Sequence, residues 1–245
     1  MADAQALQEV LRNPAVWRAR ELAQEQEQRT DRTLGTGFSS LDLALPDGGW
    51  PVGALIELLA DTSGVGELSL LLPTLRQVCA QGRAAALLAP PWLPYARAWE
   101  SLGLPLDKLL MVESSSSDLL WSAEQILRSG ECGAIVLWGQ AAGRALDHRA
   151  LQRLHLAAST GNALCFVYRA TAVEASPSPA PLRVKLRAQE GRLHLDFLKF
   201  RGALRNKSLL LDTYPAHWQP QPRLASQLET LSTPTYRPLR RSRSV

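Results

Sequence analysis

Between residues 54 and 169 the chain alternates short, wholly apolar runs with segments of helical spacing, and this alternation constrains the fold more than any other feature. The apolar runs are Ala54–Ala60 (ALIELLA), Ala84–Ala89 (AAALLA), Lys108–Glu113 (KLLMVE), Ala134–Trp138 (AIVLW) and Ala163–Arg169 (ALCFVYR). The intervening segments Glu67–Ala80, Tyr95–Leu102, Asp118–Arg128 and Asp147–Ser159 place their apolar residues at helical intervals. Strands apolar on both faces and separated by helices belong to a parallel sheet covered on both sides. The pattern therefore predicts an α/β fold, with a mostly parallel sheet flanked by helices.

The pattern changes after Ala170. Residues 171–181 (TAVEASPSPAP) read as a flexible connection. Leu182, Val184, Leu186 and Ala188 then alternate with Arg183, Lys185 and Arg187, and Gln189–Arg192 reads as a turn. Leu193–Phe200 and Lys207–Thr213 follow as two more strands. Strict alternation predicts an antiparallel extension with one solvated, basic face. Residues 4–29 read as a polar helical arm broken at Pro14, and residues from Tyr214 onward hold five prolines and little periodicity. The expected organisation is an arm over 1–32, one domain over 33–213, and a Pro/Arg-rich tail over 214–245 that is mobile or ordered only on a partner.

The 245 residues suffice for one domain with a full core. Three widely spaced cysteines (Cys79, Cys132, Cys165) exclude a disulfide scaffold and a CxxC zinc site, and they point to a reducing compartment. No apolar run approaches the roughly 20 residues of a spanning helix, and the polar N-terminus is unlike a secretory signal, so the expected location is cytoplasmic. The four histidines show no ligand spacing, and no metal or other cofactor is expected. Ser114–Ser117 is placed to cap a helix and lacks a nucleophile elbow around it. The run Pro90–Tyr95 reads either as a stiff loop packed on its own sheet or as a partner-docking surface.

The net charge of +4 is unevenly distributed. Residues 1–180 hold 14 Lys/Arg against 19 Asp/Glu, a balance of −5. Residues 181–245 hold 13 against 4, a balance of +9. Arg183, Lys185, Arg187, Lys199, Arg201, Arg205 and Lys207 suit either a surface tracking phosphates, as on single-stranded DNA, or a plain solvated face. Arg237, Arg240, Arg241 and Arg243 in the tail suit a docking peptide, a DNA-grazing arm or a solubiliser.

A phosphate-binding loop, GxxxxGK[ST], is expected between the first strand and first helix of such a sheet. The corresponding stretch runs from Ala60 to Ser69 and includes Ser63, Gly64, Gly66, Glu67 and Leu68. The glycines permit a tight turn. The lysine that would neutralise the β- and γ-phosphates is replaced by Glu67, and the magnesium-ligating hydroxyl by Leu68. An anion in place of a cation beside a triphosphate turns attraction into repulsion, roughly several kcal/mol at the effective dielectric of such a site. Moving the frame by one residue puts Gly66 and Glu67 at the two positions, which is no better. The strand AIVLW also ends in Trp138-Gly139-Gln140, without the carboxylate that would hold the metal. The three losses agree, and the loop is read as degenerate, with no catalytic residues and no enzymatic activity expected.

Residues 33–73, TLGTGFSSLDLALPDGGWPVGALIELLADTSGVGELSLLLP, resemble the opening of the RecA/RadA recombinase core. More widely, the stretches WRARELA (17–23), GVGELSLLLP (64–73), LLAPPWLPYARAWESLGL (87–104) and LWSAEQILRSGECGAIVLW (120–138) resemble the ImuA family of RecA-like, also called SulA-like, proteins. The resemblance spans roughly residues 15–212. It implies a RecA-like core without nucleotide-handling residues, and an accessory role in damage-inducible (SOS) translesion DNA synthesis. The implied partners are an ImuB-like protein, RecA and, indirectly, an error-prone polymerase, with the termini contacting ImuB and no membrane involved. The readings kept beside it are a SulA-like inhibitor of cell division, a residual ATPase and a single-strand DNA binder.

Overall fold

The computed structural model describes residues 33–62, 64–92, 96–113, 118–139, 146–200 and 208–212. The expected arm (1–32) and tail (214–245) lie outside these residues, as do Ser63, Ser114–Ser117, Arg201, Arg205, Lys207, Arg237, Arg240, Arg241 and Arg243.

The chain enters through β1 (Thr33–Leu34), α1 (Ser39–Ala44) and β2 (Trp50–Pro51), with β1 and β2 paired antiparallel as a small separate ribbon. The main sheet is built from β3 (Ala54–Leu59), β4 (Ala84–Leu88), β5 (Leu109–Val112), β6 (Cys132–Trp138), β7 (Leu164–Arg169), β8 (Leu182–Gln189), β9 (Arg192–Lys199) and β10 (Ser208–Leu211). The helices between them are α2 (Glu67–Ala80), α3 (Ala96–Ser101), α4 (Leu119–Arg128) and α5 (His148–Thr160). Strand order is β10-β9-β8-β3-β7-β6-β4-β5, so β3 is central and its carboxyl end is where the chain turns into α2.

β3, β6 and β7 are buried along their whole length, as runs apolar but for Glu57 and Arg169 require. The sheet separates two cores. Leu70, Leu71, Leu75 and Val78 of α2 pack on one face with Trp50, Ile56, Leu58 and Phe166. Ala123 and Leu127 of α4, with Leu151 and Leu154 of α5, pack on the other with Leu55, Ile135 and Val167. Trp50 anchors the entry ribbon: its ring meets Phe166 edge-on at 5.3 Å, and Nε1 donates to Thr74 Oγ1 at 3.0 Å.

Two expectations are corrected here. β8 opens the antiparallel extension as expected, but its other edge joins the parallel sheet. It pairs parallel with β3, Glu57 opposite Arg183, and on its other side antiparallel with β9; β9 alone runs against the other strands of the main sheet, and β10, antiparallel to β9, again points the same way as β3. Its first half is accordingly buried, Arg183 included, and the solvated face begins only at Arg187. Residues 171–181 are also not a loose connection. A 3-10 turn (Thr171–Val173) follows β7, and the carbonyls of Val173, Glu174 and Ser178 accept bonds from Arg183 Nη2 (3.0 Å), Arg183 Nη1 (2.9 Å) and Lys199 Nζ (2.8 Å). The expected turn after β8 is a two-residue hairpin in which Glu190 and Gly191 both have positive φ, the twist that joins adjacent strands tightly.

Candidate functional site

The degenerate loop leaves β3 at Ala60 and enters α2 at Glu67. Gly66, the residue before the helix, has φ near +100°, which a residue bearing a Cβ adopts only under strain. The loop therefore still turns as a phosphate loop would, into the positive end of a fourteen-residue helix. Its amide is aimed at the chain's own side chain. Gly64 N donates to Glu67 Oε1 at 2.9 Å. Glu67 is only 7% exposed, so its carboxylate lies in the loop rather than in solvent. An internal anion thus sits where this kind of loop presents its donors to an external one. Glu67 Oε2 is buried without a hydrogen-bond partner among the described residues.

The surroundings are equally filled. Leu68, at the position of the metal-ligating hydroxyl, packs against the core with Val65. Trp138, at the carboxyl end of β6, is 5% exposed and stacks on Tyr168 of β7 with centroids 5.4 Å apart and planes at 24°. Tyr168 Oη donates to the Glu67 carbonyl at 2.9 Å, which joins the aromatic pair to the first turn of α2. Burial, and secondarily the charge of Glu67, push the Tyr168 hydroxyl well above the usual tyrosine range. It is a fixed donor, not a proton carrier near neutrality. On the outer side of the loop, Asp61 Oδ1 accepts from the Thr171 amide and hydroxyl, and these bonds lower its pKa. The loop is thereby tied to the segment after β7.

Beneath the loop lies an ionic cluster that the sequence reading missed. Glu57, in the middle of β3, is fully buried. Its Oε1 meets Arg169 Nη1 of β7 at 2.6 Å, and its Oε2 meets Arg183 Nε of β8 at 2.7 Å. Arg169 Nη2 also donates to the Leu146 carbonyl at 2.7 Å. The signal available was a lone acid inside the apolar run ALIELL, which demands a buried cationic partner.

Arg183 therefore ties β8 to β3 through Glu57 and to the turn at Val173 and Glu174, and it is not a surface cation. Lys185 pairs with Glu174 at 2.8 Å, and Arg187 with Asp196. Lys199 is exposed at the far end of β9 and donates to the Ser178 carbonyl. The four described cations of the expected basic surface each have an internal partner, and they are not gathered into one free patch. Among the described residues no group of His, Cys, Asp and Glu has a metal-binding arrangement. His155 Nδ1 accepts from the Leu55 amide at 3.2 Å. Burial raises the thiols of all three cysteines, that of Cys132 to about 11. No described helix is long and apolar enough to cross a membrane. Trp92, in the expected docking loop, is 74% exposed, while Leu93–Tyr95 lie outside the described residues.

Comparison with known proteins fits this geometry. The model of the SulA cell division inhibitor family matches residues 55–165, the stretch from β3 through the loop to the start of β7. RecA of Bacillus thuringiensis (strain Al Hakam) is 32% identical over 114 residues, covering 46% of this chain and 33% of that protein, and RecA of Bacillus anthracis gives the same values. RecA of Listeria welshimeri is 35% identical over 107 residues, covering 43% of this chain and 30% of that protein. The chain spans about a third of the length of these curated relatives. The similarities and the sheet agree on a RecA-like, SulA-like α/β core.

Proposed function

We propose that this chain is a non-catalytic accessory factor of the bacterial DNA-damage response, of the ImuA type. In this reading it keeps the shape of a recombinase core and has given up nucleotide chemistry. The observation that carries the proposal is the Glu67 carboxylate bonded to Gly64 N, with Trp138 and Tyr168 packed behind it. A triphosphate entering there would have to expel a buried anion from the loop, and where its γ-phosphate needs a cation and its metal a hydroxyl the chain has Glu67 and Leu68.

A core without turnover acts by docking. The partners are RecA and an ImuB-like protein, with an error-prone polymerase recruited through them during SOS-induced translesion synthesis. The regions outside the core, residues 1–32 and 214–245, serve as tethers. Direct contact with single-stranded DNA is secondary in this reading, because Arg183, Lys185, Arg187 and Lys199 are held by Glu57, Glu174, Asp196 and the Ser178 carbonyl.

The test is a pulldown of purified RecA and ImuB-like protein by the full chain and by chains lacking 1–30 or 214–245. Retention of at least one partner by the full chain, and its loss on one deletion, is the expected result. Retention of neither partner contradicts the accessory role, and retention unaffected by either deletion contradicts the tethering. The SulA family match over 55–165 favours one other reading, a cell division inhibitor. Filamentation on overexpression without DNA damage would select it.

A further inference from the structure

At the opposite end of the sheet from the loop, beside the amino ends of β3 and β8, lies a cavity of about 730 Å³. The volume is in the range of ligand-sized pockets. It shares no residue with the degenerate loop, and its lining is mainly polar. Three segments wall it: the entry stretch up to Ala54, the carboxyl end of α5 with the turn after it, and residues 179–182 with the end of β9. Lys199 supplies a cation, and one of its three N–H groups donates to the Ser178 carbonyl at 2.8 Å. On the α5 wall, the Ser159 hydroxyl and the Asn162 side-chain amide have no hydrogen-bond partner among the described residues. Asn162 Oδ1 lies 3.8 Å from where a Cβ on Gly53 would stand, so the amide is at the wall that Gly53 also lines. His155, one turn before Ser159, is held at Nδ1 by the Leu55 amide.

These groups set the chemistry of an occupant. Lys199, Ser159 and Asn162 offer two, one and two N–H or O–H donors that the described fold leaves unused. A carboxylate has two oxygens to receive them, whereas a phosphate monoester has three and the larger charge. Asp47 is the only carboxylate among the described lining residues, and it repels a bare anion. A bare anion would also fill little of the volume. A polyhydroxylated body removes both difficulties. Its hydroxyls donate to Asp47 and to the carbonyls of Pro46, Pro51, Pro179 and Pro181, while its C–H faces pack on the proline rings and Phe200.

We propose that this cavity binds a sugar phosphate, with the phosphate held by Lys199, Ser159 and Asn162 and the hydroxyls turned toward Asp47. The proposal rests on the cavity and its donors alone. It depends neither on the accessory role nor on the identity of any partner.

The experiment follows the amide resonances of the full chain as ribose 5-phosphate is added. Saturable shifts are expected at residues 53–55, 159–162 and 199–200, with Gly64 and Glu67 unmoved. Ribose, ribonate and inorganic phosphate each lack part of the required chemistry and should bind about tenfold more weakly or worse. Lys199→Met keeps the length of an exposed side chain and removes its charge; it should weaken ribose 5-phosphate by about tenfold or more and leave the chain folded. Asn162→Asp suits the same left-handed backbone, φ +49°, and should weaken binding similarly by adding a second anion to the lining. Lys185→Met removes a cation outside the cavity, paired with Glu174, and should leave binding unchanged. No saturable shift at about 10 mM, well above the usual affinity range of metabolite sites, would overturn the proposal. So would shifts confined to the Gly64 loop, binding untouched by Lys199→Met, or equal binding of ribose, ribonate or inorganic phosphate.

Discussion

Replacing Glu57 by Gln removes one negative charge from a fully buried position and leaves Arg169 and Arg183 facing a neutral amide. The two arginine side chains are 9% and 8% exposed, so solvent cannot take over the lost interaction. Each guanidinium keeps its carbonyl partners, Leu146 for Arg169 and Val173 and Glu174 for Arg183. The amide NH₂ of Gln must still oppose one of them, donor against donor. Breaking a buried pair by removing one partner costs about 3–5 kcal/mol. For a folded unit of this size each kcal/mol lowers Tm by about 2–4 °C, so the expected loss is about 6–20 °C. The assay is urea unfolding followed by circular dichroism, with a thermal melt beside it. Glu174→Gln is the comparison, since that carboxylate is 41% exposed and its pair with Lys185 is worth at most about 1 kcal/mol. A Glu57→Gln loss no larger than that of Glu174→Gln would refute the reasoning. Arg183 would then not be committed to the interior, and the basic-surface reading of β8 would regain its ground.

Arg83 donates to the carbonyls of Gly130, Cys132, Gly161 and Asn162, which tie β4 to the ends of α4 and α5. Arg83→Ala should cost about 2–4 kcal/mol and speed hydrogen exchange first in residues 128–132 and 160–163. Gly161→Ala should be worse, because its Cβ would lie 1.7 Å from the Leu127 carbonyl oxygen, and soluble yield with the melt reports it. Tyr168 has its pKa raised by folding, so its contribution to stability is complete below the unfolded value of about 10 and is lost as pH rises beyond it. A titration at 295 nm should therefore leave Tyr168 protonated until the chain unfolds, and the Tyr168→Phe variant should lack that late step. A thiol reagent should find none of the three cysteines until denaturant is added, since all are buried and their thiols are raised.

Which of these features were legible in the sequence follows from how local each one is. The five apolar runs needed only their own residues to declare themselves, and all five are strands of the parallel sheet. The loss of a cation at Glu67 was equally local. What Glu67 does instead was not, because reaching back to Gly64 depends on the turn that Gly66 imposes. β8 misled for a related reason. Its Arg/Lys alternation is what a half-solvated strand shows, and only pairing with Glu57, far away in sequence, buries Arg183. The same arginine, with Lys199, supplies the donors that order residues 171–181, which by composition read as loose. The aromatic pair Trp138–Tyr168 spans two strands, so its packing behind the loop becomes visible only once the strand order is known.

That the chain's own side chains occupy the degenerate loop is tested most directly by equilibrium binding. Labelled ATP with magnesium should show no saturable binding to the full chain up to millimolar concentration, and the amide resonance of Gly64 should not move. Micromolar binding that shifts the Gly64 resonance and is abolished by a change at Gly66 would contradict it.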